Sequence, residues 1–421
     1  MEEEHSAADV GLVIARSLTE FPKQLASAAP LVRKRLYVHV EPPLDLDRSL
    51  GNIYHEASKI CGQLDVRVLL NPKAKPPIDR IFSDQATDHQ DNLKWNECNK
   101  TYDAVVLGGT FDRLHNGHKV LLSTAVRKAS KYVTCGITVG VMILNKELFE
   151  LMEPYELRAQ AVQEFVADVG VDVECRTEAI TDPFGPSIVD PDLQCIVVSE
   201  ETQRGGEAVN KKRKERGLST LDIDVIQLLE DPKLLTRDPI ETKLSSSTRR
   251  RQLLGTLLKV PNEVESPGGV YLVGLTGGIA SGRRSIGQFL ETMGYKVIDC
   301  DKRADSISWS AVKEEAMKIV ANSQSKVVFV EAAALMDTKW QNSLNEVWTV
   351  FVPRAQAISR IMQRNGLSEN EAITRIDSQI SNQLRISQSN VVFCSLWSLE
   401  ETQSQVKLAC KELEKRISTK I

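Results

Sequence analysis

Two histidines three positions apart close the run Gly108-Gly109-Thr110-Phe111-Asp112-Arg113-Leu114-His115-Asn116-Gly117-His118. Glycines directly after an apolar stretch let an anion approach the backbone closely. A helix beginning near Gly117 would point unpaired amides and its positive dipole end at the same spot. Gly108, Gly109 and Thr110 are thus the expected phosphate cradle. At this spacing His115 and His118 can both face it and donate hydrogen bonds, neutral or protonated. The chemistry that suits such a site is nucleotidyl transfer. There the attacking phosphate is already a nucleophile, and the protein mainly stabilises charge on the α-phosphate and on departing pyrophosphate. Two plainer readings stand beside it: half of a metal site, although no third ligand is near in sequence, or two structural histidines in a glycine-rich turn.

A second run, Lys243-Leu244-Ser245-Ser246-Ser247-Thr248-Arg249-Arg250, reads as a helix start. The hydroxyls and amides of Ser245, Ser246 and Ser247 can contact phosphate there, with Arg250 adding charge; alternatively Ser245 is only a helix cap. A third run, Gly277-Gly278-Ile279-Ala280-Ser281-Gly282-Arg283-Arg284-Ser285, has the glycine spacing of a Walker A loop, G-x-x-x-x-G-K-[ST]. Arg283 stands in the lysine place and Arg284 in the place of the hydroxyl that binds Mg²⁺. The first change keeps the charge but not the shape; the second removes a metal ligand unless Ser285 replaces it. A glycine-rich turn without a ligand is the plainer reading.

The elements that must position these runs form three α/β regions, with boundaries at 1–95, 96–260 and 268–421. Leu36 to Val40 and Val66 to Leu70 read as strands around a helix near Asn52 to Gln63; Pro72, Pro76 and Pro77 with the polar stretch Ser83 to Lys100 read as a linker. Ala104 to Leu107 is a buried-strand pattern, followed by a helix from Gly117 to Tyr132. Strands are expected at Val133 to Val141, Val171 to Cys175 and Cys195 to Val198, then a polar loop from Asp231 to Glu241 and a helix from Ser246 to Leu258. Val270 to Gly274 opens the last region, with a helix from Arg283 to Met293. Strands at Tyr295 to Ile298, Lys326 to Val330, Val347 to Val352 and Val391 to Cys394 follow, and a terminal helix runs from Leu399 to Ser418. Alternating strands and helices imply parallel sheets with ligand sites beyond the carboxyl ends of the strands.

The H-x-G-H string with Ser245, Ser246, Ser247 and Arg250 resembles the nucleotidyltransferase superfamily, implying a Rossmann-like parallel sheet. Pro154-Tyr155-Glu156-Leu157-Arg158, Asp182-Pro183-Phe184-Gly185-Pro186 and Val198-Ser199-Glu200-Glu201-Thr202 with Arg204-Gly205-Gly206 are similar to its eukaryotic phosphopantetheine adenylyltransferase branch. That branch forms dephospho-coenzyme A and pyrophosphate from ATP and 4'-phosphopantetheine. The resemblance implies that His115 and His118 hold the phosphates of ATP and that Arg250 meets its departing end. It also implies a substrate-phosphate contact by Lys146, in a stretch shorter than the family's and lacking its Thr-Asp. Residues from Val270 onward resemble dephospho-coenzyme A kinase, a P-loop fold, in the fused arrangement of bifunctional coenzyme A synthases. Gly277, Gly282, Arg283 and Ser285 would then line the nucleotide loop. Asp299 and Asp301 match an acidic pair, Glu331 follows a buried strand, and Arg364 and Arg375 resemble nucleotide-contacting arginines. The segment from Asp301 to Glu331 is shorter than the family's acceptor-binding segment, so the kinase is read as degenerate or as a chain from which a segment is missing.

The chain has 421 residues, 42% of them apolar, and 53 Lys plus Arg against 57 Asp plus Glu, a net charge of −4. That balance gives no footprint for a nucleic-acid duplex, and no apolar run reaches transmembrane length. Eight scattered cysteines without a C-x-x-C pair read as reduced thiols of a cytoplasmic protein. The basic stretch from Arg16 to Arg35 leaves a mitochondrial address open. The expected whole is a coenzyme A biosynthetic protein using ATP and Mg²⁺, with ATP, 4'-phosphopantetheine and dephospho-coenzyme A as small-molecule partners, no nucleic acid, and an open oligomeric state. Its kinase step is expected to be crippled. Alternatives are another acceptor, as in cytidylyl or nicotinamide-mononucleotide adenylyl transfer, or a nucleotide-binding scaffold without turnover.

Overall fold

The computed structural model describes residues 7–62, 64–85, 87–97, 101–226, 246–264, 269–304 and 309–418. The chain divides into two compact units, 1–249 and 250–421.

The first unit holds two parallel sheets. One has the order β3-β2-β1-β4, built from β1 (Ala8–Ala15), β2 (Val32–Val40), β3 (Asp65–Val68) and β4 (Arg80–Phe82). The other has the order β7-β6-β5-β8-β9, from β5 (Tyr102–Gly109), β6 (Ala129–Thr138), β7 (Glu174–Ile180), β8 (Cys195–Ser199) and β9 (Asp222–Ile226). In β5, at the centre, Ala104 to Leu107 are all buried, as a parallel strand covered on both faces requires. The two sheets share one apolar core: Leu50, Ile53 and Tyr54 from the helix Leu46–Ile60 cluster with Val105, Leu107, Val120, Val162 and Phe165.

The second unit carries a sheet of order β11-β12-β10-β13-β14, also parallel, from β10 (Tyr271–Gly277), β11 (Lys296–Asp299), β12 (Val327–Glu331), β13 (Glu346–Phe351) and β14 (Val391–Cys394). The terminal helix spans Leu399–Ser418. The α/β class and the parallel sheets agree with the sequence reading. Among the described residues no helix is long and apolar enough to cross a membrane.

Several boundaries differ from expectation, each for a physical reason. The helix after the histidine motif stops at Lys128, and β6 begins at Ala129 because it pairs with both β5 and β7. The strand expected at Val171 to Cys175 lies at Glu174–Ile180; as an edge strand with its polar residues exposed, it shows little apolar alternation. The helix from Ser246 ends at Gln252. Shortly after it, Gly255 adopts φ +76°, and a Cβ there would lie 2.3 Å from the Gln405 carbonyl oxygen, so only glycine lets the chain pass the terminal helix this closely. β1 and β4 were not foreseen, and the loop expected at Asp231 to Glu241 lies outside the described residues. The basic stretch near the N-terminus is built into the fold: Arg16 pairs with Glu41 at 2.5 Å, Asp84 at 2.7 Å and Asp88 at 2.9 Å. The helix Phe21–Ala28 buries Phe21 and Leu25 in the shared core.

Phe165, fully buried in that shared core, tests the sharing. Phe165→Ala should lower the unfolding free energy of the first unit by about 3–5 kcal/mol, read from the urea midpoint. A loss under about 1 kcal/mol would mean that the shared core is not packed as described.

Candidate functional site

The site is built on the carboxyl end of β5. The strand ends at Gly109, a tight turn follows, and the helix Asn116–Lys128 begins. A Cβ on Gly108 would meet nothing closer than the Gly136 carbonyl oxygen at 3.8 Å, so its bare backbone leaves room at the strand end. The turn is strained: Phe111 and Arg113, neither a glycine, both have φ of 48°, each costing on the order of 1 kcal/mol or more.

Buried polar groups hold this turn. Asp112 is fully buried and its Oδ1 accepts the Glu153 amide at 2.9 Å, while the Arg113 amide donates to Glu153 Oε2 at 2.9 Å. Arg158, on the helix Tyr155–Val169 and 1% exposed, donates to the carbonyl oxygens of Thr110 (2.6 Å), Thr138 (3.0 Å) and Glu153 (2.9 Å). One guanidinium therefore ties the phosphate-type turn to the ends of two elements. The sequence marked Arg158 only as part of a family string; Asp112, Glu153 and Lys119 were not singled out. An arginine soon after Pro154, at the start of an amphipathic helix, was the one local sign of such a clamp.

The two imidazoles stack with ring centroids 3.8 Å apart. His118 Nδ1 accepts the His115 amide at 3.4 Å, which places the proton of a neutral ring on Nε2. Burial pushes His118 down to about 3. His115 is held well below the usual range by burial first, then by His118, Arg249 and Lys119. Both rings are therefore neutral near pH 7, and the Nδ1 of His115 is a buried polar atom without a protein partner.

The serine run reaches this turn. Ser246 Oγ donates to the Asp112 carbonyl oxygen at 3.2 Å and lies 3.5 Å from His115 Nε2, across 131 positions of chain. Ser247 is on the same helix, Ser246–Gln252, as is the buried Arg250; Ser245 lies outside the described residues. Lys146 is exposed in the turn after the short helix Val141–Leu144.

In the second unit the glycine-rich loop links β10 to the helix Arg283–Thr292. Arg283 is ion-paired with Asp301 and, at 3.1 Å, with Glu331, while Asp301 also accepts the Ala333 amide at 2.9 Å. Burial raises the Glu331 carboxyl, against the pull of Arg283. Asp299 pairs with Lys302 at 3.2 Å. Arg284 and Ser285 are exposed, and Gln379 Oε1 already accepts the Ile279 amide at 2.9 Å. A cavity of about 390 Å³ is lined by Gly277, Gly282, Arg283, Ser285, Arg364 and others. These residues do not fit a divalent cation, because position 284 carries a guanidinium and the nearest carboxylates are taken by another.

The depressed histidines make a pH prediction. A group whose folded pKa lies below its unfolded value contributes stability in full above the unfolded value and loses it as pH falls toward the folded one. For His118 that window runs from 6.5 down to about 3. Between pH 7 and pH 5 the wild type should lose about 2 kcal/mol to this group alone. His118→Asn should lose correspondingly less, measured by urea unfolding at both values. Identical losses would show that His118 is not buried neutral.

Residues 106–252 match the cytidylyltransferase-like family model, and residues 305–396 match the dephospho-CoA kinase model, beginning after the glycine-rich loop. Among curated relatives, the phosphopantetheine adenylyltransferase of Saccharomyces cerevisiae is 39% identical over 37% of this chain and 50% of its own length. That of Thermococcus gammatolerans is 40% identical over 39% of this chain and 99% of its own length. That of Pyrococcus furiosus is 40% identical over 37% and 91%. The chain spans about half the length of the first curated relatives it matches.

Proposed function

The chain belongs to the phosphopantetheine adenylyltransferase family, and we propose that it acts in coenzyme A biosynthesis, transferring the adenylyl group of ATP to 4'-phosphopantetheine. A phosphate oxygen of the acceptor attacks the α-phosphorus, the bond from that phosphorus to the bridging oxygen breaks, and pyrophosphate leaves with its electron pair. Dephospho-coenzyme A is the other product. The observation that carries this reading is Ser246 Oγ lying 3.5 Å from His115 Nε2, which brings the two separated motifs onto one turn.

In this reading the bare backbone at Gly108, Gly109 and Thr110 receives phosphate oxygens. Neutral His118 donates from Nε2 to charge developing at the α-phosphate, and His115 with Ser246 and Ser247 steadies the triphosphate. Arg250 would meet the departing pyrophosphate, and Lys146 the acceptor phosphate. Neutral imidazoles suit a site whose substrates bring the charge, because they donate to phosphate without adding a further buried cation to Arg250. The one carboxylate of the turn, Asp112, is committed to the Glu153 amide. The turn therefore does not fit a protein-held Mg²⁺, and MgATP enters as the substrate. Cys61, Cys135, Cys175, Cys195 and Cys410 carry free thiols, in keeping with a reducing cytoplasmic or mitochondrial compartment.

The second unit is read as a dephospho-coenzyme A kinase fold that keeps a nucleotide-shaped loop but not the phosphoryl-transfer machinery. With Arg283 latched to Asp301 and Glu331, neither carboxylate is available as base or metal ligand.

His118→Ala should lower adenylyl transfer per folded molecule by about two orders of magnitude, as for loss of one preorganised donor. Incubation with MgATP and 4'-phosphopantetheine, followed by chromatography of dephospho-coenzyme A, measures this. Near-normal turnover would remove His118 from the mechanism, and efficient adenylylation of nicotinamide mononucleotide would overturn the acceptor assignment. Dephospho-coenzyme A and MgATP supplied to the unaltered chain should give little coenzyme A. Arg283→Lys with Arg284→Ser, although it opens the latch, should recover little, because the short segment from Asp301 to Glu331 leaves too little chain to hold an acceptor. Formation at about 1 per second, the ordinary rate for kinases, would sink the reading of the second unit.

A further inference from the structure

We infer that the N-terminal sheet is a positioning frame for adenylyl transfer, setting the rotation and register of the histidine-bearing helix through a polar stripe. This rests on the proposed use of His115 and His118.

The stripe consists of Asn116, Lys119, Ser123 and Arg127 on the helix Asn116–Lys128. Their spacing places all four on one helix face. Each meets residues that precede β5. Asn116 Nδ2 donates to Ser58 Oγ at 3.0 Å and to the Tyr54 carbonyl oxygen at 3.3 Å. Lys119 Nζ donates to Asp65 Oδ1 at 2.6 Å and to the Val66 carbonyl oxygen at 2.8 Å. Ser123 Oγ lies 3.4 Å from the Tyr54 hydroxyl. Arg127 makes a two-pronged pair with Asp47, at 2.8 and 3.0 Å.

Lys119, Ser123 and Arg127 are all at most 5% exposed. An apolar helix interface tolerates small slides and rotations because dispersion contacts are undirected. Buried donors do not, because every shift strands a desolvated charge or amide. The stripe begins at Asn116, between the two histidines, and Lys119 directly follows His118. A rotation of this helix is therefore a displacement of both rings.

The frame also grips the other helix that braces the turn. Asp65, which holds Lys119, pairs with Arg67 at 3.0 Å. Arg67 pairs with Asp168 at 2.8 Å, and Asp168 accepts the Tyr37 hydroxyl at 2.9 Å. Asp168 lies on the helix Tyr155–Val169, whose Arg158 clamps the Thr110 carbonyl oxygen. The same few residues of the N-terminal sheet thus fix both the rear of the turn and the helix that leaves it. Packing alone would explain a shared apolar core; it does not explain a lysine, a serine and an arginine buried in line on the helix that carries both imidazoles.

Ser58 and Asp65 are accordingly positioning residues, and the test uses the full chain. Ser58→Ala should reduce kcat about tenfold, in the range that small misplacements of reacting groups cost, while KM for ATP stays within about twofold. Ser58→Thr should restore kcat. The ring ¹H–¹⁵N resonances of His115 and His118 should move in Ser58→Ala and return in Ser58→Thr, and Asp65→Asn should move them further if it folds. Unmoved ring resonances in Ser58→Ala, or a fall in activity that matches only the folded fraction, would overturn the framing role. If the unaltered chain makes no dephospho-coenzyme A, the adenylyltransferase reading fails, while the ring resonances of the same variants still decide whether the N-terminal sheet sets the histidines.

Discussion

The first unit depends on the desolvation of one turn. Burial holds His115 and His118 neutral, and burial is tolerable only where neighbouring polar groups are satisfied. Asp112 takes the Glu153 amide, Arg158 takes the carbonyl oxygens of Thr110, Thr138 and Glu153, and Lys119 takes Asp65 and Val66. The left-handed Phe111 and Arg113 persist because these bonds over-determine the loop between them. His115 Nδ1 stays without a protein partner in this region, as do the buried Arg113 Nε and Thr138 Oγ1. That is where a buried polar atom can await a ligand.

The two glycine-rich turns of the chain show how similar backbones diverge through charge. Around β5 the donors are neutral imidazoles, and the turn's acid is bonded to an amide. Around β10 the loop supplies two guanidinium groups, and one of them is already neutralised by Asp301 and Glu331. An internal ion pair of this kind gains Coulomb energy without a ligand, so an entering phosphate would have to displace a partner as well as shed water. The glycines preserve the shape of a nucleotide loop, but its charges answer one another instead of a substrate and a metal.

The elements legible in sequence were those whose identity rests on their own residues. The apolar run Ala104 to Leu107, the glycines after it and the terminal helix Leu399–Ser418 were read nearly as they stand. Elements that draw their stability from partners were missed or shifted. β4 is three residues long and exists because it pairs with β1, and β7 is an edge strand defined by β6. The helix after Ser246 was read too long because the reason it stops, the approach of Gly255 to Gln405, spans 150 positions.

Sequence alone determined the chemistry on offer: H-x-G-H after a buried strand, hydroxyls at a later helix start, and an arginine in the place of a Walker lysine. Those are statements about neighbours along the chain, and spacing is enough to make them. Tertiary structure decided what each group does. It set the protonation of the histidines, because desolvation depends on what covers them. It brought Ser246 to His115, turned Arg158 from a family marker into a clamp on the turn, and closed Arg283 onto two carboxylates. Each of these depends on residues far apart in the chain, and the free energy of a buried charge or donor is set by its surroundings in space rather than by its place in the sequence.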